Sequence, residues 1–423
     1  MIRFLLKGIL RDKSRSLLPV LVVAIGVALT VVLSGYIKGA MGGIINQNAR
    51  FQTGHLKVVT KAYAQNSSQM PVDLALLGAD DLLKKLRKEF PQVKWVERTV
   101  FAGLLDVPDS SGTTKGQGPA SGIALEMLNR KSGELKRMNI ESSLVRGTVP
   151  QKLGEALLSD DFANKLKLNI GDRVTYVGST MNGSMTMKTF RMAGTVRFGN
   201  ALLDKGAFLI DIADAQEMLD MENGTGEILG FLKEGVYAEE NALRIQSIFN
   251  ENTDPHDEFA PTMQVLRDQN NLGDYLDTVN AYSAFFIGIF ILAMSVVLWN
   301  TGLLGGLRRF QEFGIRLALG ESKGRIYRSQ LVEAFLIGML GSFAGTCIGI
   351  AVTFWLQIHG FDISEYYSNS SMLMPSVIRS EFSANLLYIG FIPGLCATVF
   401  GRMLSGLGIY KRQTARLFKE LEV

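Results

Sequence analysis

Four stretches of this 423-residue chain contain no charged residue: 17–37, 281–307, 334–358 and 382–401, which are 21, 27, 25 and 20 residues long. A helix rises about 1.5 Å per residue, so roughly 20 apolar residues cross the ~30 Å hydrocarbon layer of a bilayer. Soluble core helices seldom stay uncharged over such lengths. The overall balance of 47% hydrophobic and 20% charged residues conceals this, because the apolar residues are concentrated in the four runs. The runs predict four transmembrane helices. The first is longer than the apolar region of a secretory signal and has no clean A-x-A cleavage site behind it, so it reads as a retained anchor.

The charges orient the spans. Residues 1–16, 308–333 and 402–423 carry sixteen basic and six acidic residues, a net of +10. Residues 38–280 carry a net of −4 and residues 359–381 a net of −2. Lys and Arg near span ends stay in the cytoplasm, so both termini are expected inside. The expected order is a cytoplasmic segment 1–16, span 17–37, an outer domain 38–280, span 281–307, a cytoplasmic loop 308–333, span 334–358, an outer loop 359–381, span 382–401 and a cytoplasmic tail 402–423. The fold class is thus an α-helical membrane protein with one plus three spans and a large α+β extracytoplasmic domain between the first and second. Because that domain is slightly acidic, no nucleic-acid partner is expected. Cys347 and Cys396 both lie in spans, so the outer domain folds without disulfides.

Within 38–280 short strand and helix patterns alternate, consistent with two subdomains. His55 to Thr60 and Arg173 to Val177 read as strands, as does Met185 to Val196. Asp80 to Phe90 reads as an amphipathic helix with Leu82, Leu83, Leu86 and Phe90 on one face. Ser159 is placed to cap a helix that starts at Asp160-Asp161. Asn182-Gly183 is a hairpin-turn signal. Pro108 to Ala120, rich in Gly, Ser, Thr and Pro, reads as a flexible surface loop or subdomain boundary. Asp268 to Asn280 reads as a helix that continues into the second span. Met181, Met185, Met187 and Met192 cluster about the hairpin. They fit either ordinary packing of one sheet face or an adaptable apolar surface for cargo or a partner.

In the third span Gly341, Gly345 and Gly349 recur every fourth residue, a face that lets another backbone approach closely. The partner is either in the same chain or in a second subunit. In the loop after the second span, Phe310, Phe313 and Leu317 share one helical face, and Arg309, Glu312 and Arg316 an adjacent one. Gly320 is placed to end this helix, and Ser322 to cap the next. Such a helix either rests on lipid headgroups or plugs a groove in a cytoplasmic partner, where Phe313 and Leu317 would be the buried pair.

The segment running from Glu312 through Phe313, Gly314, Ile315, Arg316, Leu317 and Gly320 to Ser322 resembles the E-I-G-I-R-x-A-x-G-A-S signature of the MacB-like ABC permeases. Phe313 departs from the usual Ile, and Glu321 from the usual Ala. Arg15-Ser-Leu-Leu followed by Ile25-Gly-Val-Ala is also similar, as are Arg146-Gly-Thr-Val-Pro and Leu168-Asn-Ile-Gly-Asp-Arg-Val. Phe51-Gln-Thr-Gly-His-Leu-Lys-Val resembles the segment after the first span in lipoprotein-releasing subunits. The resemblance implies a bacterial inner-membrane permease that pairs with a second permease subunit, identical or paralogous. It implies two copies of a separate ATPase, which hold ATP and Mg²⁺, with the helix around Arg309 to Gly320 seated in them. It also implies cargo handled at or beyond the outer leaflet, with a periplasmic carrier or adaptor as a further partner.

The sequence contains no G-x-x-x-x-G-K-[ST] phosphate cradle, so no ATP hydrolysis is expected from this chain alone, and no cofactor is expected on it. His55, His256 and His359 lack metal-site spacing, and no G-x-S-x-G occurs. The expected function is that of an ABC permease subunit, with lipoprotein release as the leading form. The alternatives are efflux of an amphiphilic peptide or drug, and a regulatory scaffold controlling a cell-wall hydrolase.

Overall fold

The computed structural model describes residues 13–108, 113–199, 201–232, 237–251, 253–254, 256–269, 272–307, 310–362 and 377–411. The chain divides into two compact units. One comprises Met1–Gly42, Val279–Phe361 and Ile378–Val423, and the other Gly43–Thr278 with Asp362–Val377.

The first unit holds the apolar helices. Among the described residues four helices are long and apolar enough to cross a membrane: Leu17–Thr53, Leu272–Thr301, Lys323–His359 and Leu386–Gly406. The helix begun in the first run extends over Lys13–Asn48, 36 residues or about 54 Å, well beyond the ~30 Å an apolar layer requires. The second runs over Leu272–Leu307, so the helix expected from Asp268 begins four residues later. Val23, Val27 and Val31 of the first helix, Leu298 of the second and Leu386 form the buried core of this unit. Tyr282, Phe285, Phe286, Ile289, Leu292 and Val296 of the second helix stay exposed within the chain.

The second unit is built on a ten-stranded sheet. Its strands are β1 (Leu56–Thr60), β2 (Val93–Pro108), β3 (Thr114–Leu125), β4 (Leu144–Gly147), β5 (Glu155–Ser159), β6 (Arg173–Ser179), β7 (Met185–Val196), β8 (Ala207–Asp211), β9 (Glu227–Leu232) and β10 (Pro261–Val265). Two substructures share β2. In the first, β10, β1, β9 and the start of β2 lie side by side, every pair antiparallel. Helix Ala79–Glu89 connects β1 to β2, and helix Glu239–Asn250 connects β9 to β10. This is the split βαβ arrangement of a ferredoxin-like fold, with everything between β2 and β9 inserted into it. Leu83, Leu86, Ala242, Ile245 and Phe249 of the two helices pack on Leu56, Val58, Trp95 and Ile228 of the sheet. That burial explains why the helix pattern read from Leu82, Leu83 and Leu86 is legible in the sequence.

The insertion closes on itself. β2 pairs with β3, β3 with β8, β8 with β5, β5 with β7, β7 with β6, and β6 again with β2. Six strands therefore form a small barrel, and closure removes the sheet edges that an open insertion would expose. Aromatic rings fill it: Phe101 stands edge-on to Tyr176 at 5.2 Å, and Phe190 edge-on to Phe208 at 5.3 Å. The Tyr176 hydroxyl donates to the Ala102 carbonyl at 2.9 Å, and burial pushes its pKa up to about 12.

The loop expected over Pro108 to Ala120 is corrected: most of it is β3, paired to β2 down its length. Its glycines serve contact. A Cβ on Gly118 would lie 2.8 Å from the Phe162 ring, and one on Gly122 2.1 Å from the Phe101 ring. Small residues that let rings sit against a strand give the same composition as a loop. Ser159 occupies the position before helix Asp160–Lys165, but its side chain makes no capping bond.

Candidate functional site

In the first unit, helix Phe310–Ala318 lies between the second and third apolar helices in sequence. It ends as the glycine signal predicts. Gly320 adopts φ +89°, its N–H donates to the Leu317 carbonyl at 3.1 Å, and the Glu321 N–H donates to the Arg316 carbonyl at 3.0 Å. This is the Schellman pair, which needs a residue free to take a left-handed conformation. Arg316 then holds the turn from its side chain: Nε and Nη2 donate to Glu321 Oε2 and Oε1 at 2.6 and 2.8 Å. The Arg316 hydrogen bonds keep the Glu321 carboxyl below the usual range. Glu321, a departure from the family signature, therefore has a local role. Ser322 stands at the start of helix Lys323–His359 without a side-chain capping bond.

The face expected to be free for a partner is corrected. Phe313 is 3% exposed and packs on Ile326 of the next helix, with Leu317 partly buried against the same pair. Among the described side chains of this segment, the uncovered large apolar ones are Ile315, 54% exposed, and Leu319, 83% exposed. Sequence periodicity chose the more continuous apolar face, and that face is the one a chain buries against itself. Ile315 and Leu319 are also four apart, but two residues make a weaker periodic signal than Phe310, Phe313 and Leu317 together. Gly314 is buried. Arg309 lies outside the described residues.

The glycine face has its partner within the chain. A Cβ on Gly341 would meet Val23 at 2.7 Å, one on Gly345 Val27 at 2.9 Å and the Ala24 carbonyl at 2.4 Å, and one on Gly349 Val31 at 2.7 Å. Val23, Val27 and Val31 advance along the first helix by about a turn each, so two backbones run in close contact. Arg402 and Glu333 stand just outside the uncharged runs, yet their side chains lie 4.0 Å apart and are almost fully buried.

In the second unit, the turn at 180–184 joins β6 to β7. Met185 and Met187 point outward and are exposed, Met181 is partly buried against the barrel core, and Met192 is fully buried in it. Along β7 strand alternation exposes Met185 and Met187 and buries Met192, while Met181 packs on the core from the turn. A buried polar network lies where the two substructures meet. Arg98 donates to Glu134 Oε2 at 2.6 Å and to the Arg50 carbonyl at 2.9 Å, and Arg137 pairs with the other Glu134 oxygen. The Arg137 guanidinium also sits 4.2 Å over the Phe231 ring. His55 Nδ1 accepts from the Leu232 N–H at 3.1 Å; burial and then the Arg137 charge lower its pKa to about 4. Lys57 pairs with Glu227 at 2.8 Å. His55 and Lys57, part of the segment resembling lipoprotein-releasing subunits, thus hold the fold.

Residues 284–414 match the family described as FtsX-like permease C-terminal, and residues 16–248 match the MacB-like periplasmic core domain. The chain is 32% identical over 131 residues to the macrolide export ATP-binding/permease protein MacB of Wolinella succinogenes, covering 30% of this chain and 18% of that protein. It is 30% identical over 127 residues to the protein of the same name from Azoarcus sp. strain BH72, covering 30% of this chain and 17% of the relative. The matched stretch therefore spans less than a fifth of either relative. The periplasmic region of MacB from Actinobacillus actinomycetemcomitans is similar in structure, with a TM-score of 0.36 and 10% identity over 53% of this chain and 94% of that one.

Proposed function

Because this chain belongs to the MacB-like ABC permease superfamily, we propose that it is a permease subunit driven by an ATPase that seats on Ile315 and Leu319. The observation that carries this reading is the state of helix Phe310–Ala318. It is anchored by Phe313 on Ile326 and by the Arg316–Glu321 pair, and it leaves two large apolar side chains uncovered at its end. An anchored helix transmits force; a helix whose apolar residues were all turned to its own chain would offer a partner nothing to grip.

The rest of the assignment follows the family. Both termini and this helix face the cytoplasm, a second permease subunit completes the membrane part, and the outer domain responds to ATP turnover in the partner. The two relatives carry ATP-binding and permease in one name. This sequence has no phosphate cradle, so ATP and Mg²⁺ are held by the partner. The cargo is an amphiphile taken at or beyond the outer leaflet, and lipoprotein release is the form we favour.

The test is co-purification of the chain with its ATPase. Burying a large apolar side chain is worth roughly 1.5–3 kcal/mol, so Ile315→Ala with Leu319→Ala should weaken the complex by about 2–4 kcal/mol, given that neither starts fully exposed. Retention of the ATPase at wild-type affinity by this double variant would remove the coupling role from the helix.

A further inference from the structure

A cleft of about 340 Å³ opens in the second unit between helix Ala79–Glu89 and the segments that follow β3 and β8. Asp80, Arg87, Glu97, Glu126, Asn129 and Asp211 line it, four carboxylates against one guanidinium. Three of the charged groups already hold hydrogen bonds, Glu126 through one carboxylate oxygen alone. Asp211 accepts from the Met127 and Leu128 N–H groups at 3.0 and 2.8 Å and from the Ala213 N–H at 3.1 Å. Glu126 accepts from the Asn129 amide at 2.6 Å, and Arg87 donates to the Trp95 carbonyl at 3.4 Å. Glu97 differs. The residue is 8% exposed, no hydrogen bond or ion pair to its carboxylate is found among the described residues, and its oxygens are not sealed from solvent but open on the cleft.

A carboxylate in a largely buried site without a counter-charge is disfavoured, and a cation brought to its open oxygens relieves the cost. Its surroundings confirm the deficit. Burial first, then repulsion from Glu126 and Asp80, raise its pKa to about 7, against the opposing pull of Arg87. The cation is not a small metal ion. No cluster of metal-ligating side chains occurs among the described residues, and Ca²⁺ or Mg²⁺ requires six or more oxygens closing at about 2.0–2.6 Å. The volume lies in the range that holds a small organic group. An ammonium presents three N–H donors and a guanidinium five, which suits separated carboxylates.

We propose that this cleft binds an organic cation, an ammonium or guanidinium group, with Glu97 and Glu126 as its partners and Asp80 at the rim. The proposal stands on the second unit alone and does not depend on the transport reading. The full chain in lipid nanodiscs is titrated calorimetrically with agmatine and, separately, with acetyl-Gly-Lys-Gly-amide. If only the ionised Glu97 binds and its pKa is about 7, affinity should fall about tenfold between pH 8 and pH 6. Glu97→Gln should abolish saturable binding. Glu126→Gln should weaken agmatine binding and move the pH dependence to lower pH, because Glu97 no longer faces that charge. Binding of agmatine alone assigns a free small cation, and binding of both probes assigns a site that also takes a lysine side chain. The absence of saturable binding by either probe would overturn the proposal, as would equal affinity and an unchanged pH profile in Glu97→Gln.

Discussion

Arg98 and Glu134 are both fully buried and bonded to each other, and Glu134 also holds Arg137. A buried ion pair is weak evidence of net stabilisation, because desolvation offsets much of the attraction. Removing one member is another matter, since it strands the remaining charge. Glu134→Ala should therefore lower the stability of the outer domain by about 3–5 kcal/mol. Thermal unfolding of the detergent-solubilised chain measures this, and a loss well under 1 kcal/mol would show that Arg98 finds water or another acceptor. None of this network could be read from the residues in order. Arg98 lies in a strand and Glu134 in a short turn of helix 36 residues later, so only the fold brings them together. The same holds for Glu97. In sequence it is one more charged residue in a strand pattern, and its isolation depends on which neighbours the sheet and the helix Ala79–Glu89 bring to it.

Between elements, the contact of the first and third apolar helices rests on glycine. At Gly345 even a Cβ would stand 2.4 Å from the Ala24 carbonyl, so the backbones must separate to admit alanine. Overpacking of this kind costs about 1–3 kcal/mol. Gly345→Ala should lower the melting temperature of the solubilised protein, while Gly288→Ala, where nothing lies within 4 Å of the added carbon, should leave it unchanged. Equal behaviour of the two variants would refute the close contact. The glycine spacing was legible because it is local. Its partner was not, since a face of small residues suits any apolar helix of either subunit. The short helix Phe310–Ala318 illustrates the converse. Its existence and its glycine stop were legible, but which of its apolar residues faces inward was decided by Ile326 on the next helix.

At the scale of the whole molecule, the charge bias predicts which ends of the helices face the cytoplasm. Cys347 and Cys396 are first replaced by serine. In intact bacterial cells, Ser68→Cys should then react with a membrane-impermeant maleimide, and Ser322→Cys should react only after permeabilisation. Both positions are exposed. Labelling of Ser322→Cys from outside would reverse the orientation and take helix Phe310–Ala318 away from any cytoplasmic ATPase.

The number and place of the apolar helices were determined by the sequence itself, because crossing a membrane demands an uninterrupted apolar length and no tertiary contact can substitute for it. The family signature, three of the ten sheet strands and the helices at Asp80 and Asp160 were legible for a similar reason: periodicity and turn residues act within a few positions. Closure of the six-strand barrel was not legible, since β6 pairs with both β2 and β7, joining Leu104 to Val177 across more than seventy residues. Nor was the strand character of the Gly-rich segment after Pro108, where glycine marks room for Phe101 and Phe162 rather than a turn. The exposed face at Ile315 and Leu319 and the unpartnered carboxylate of Glu97 belong to the same class. Exposure is what remains after every other surface has been covered, and only the tertiary structure decides that remainder.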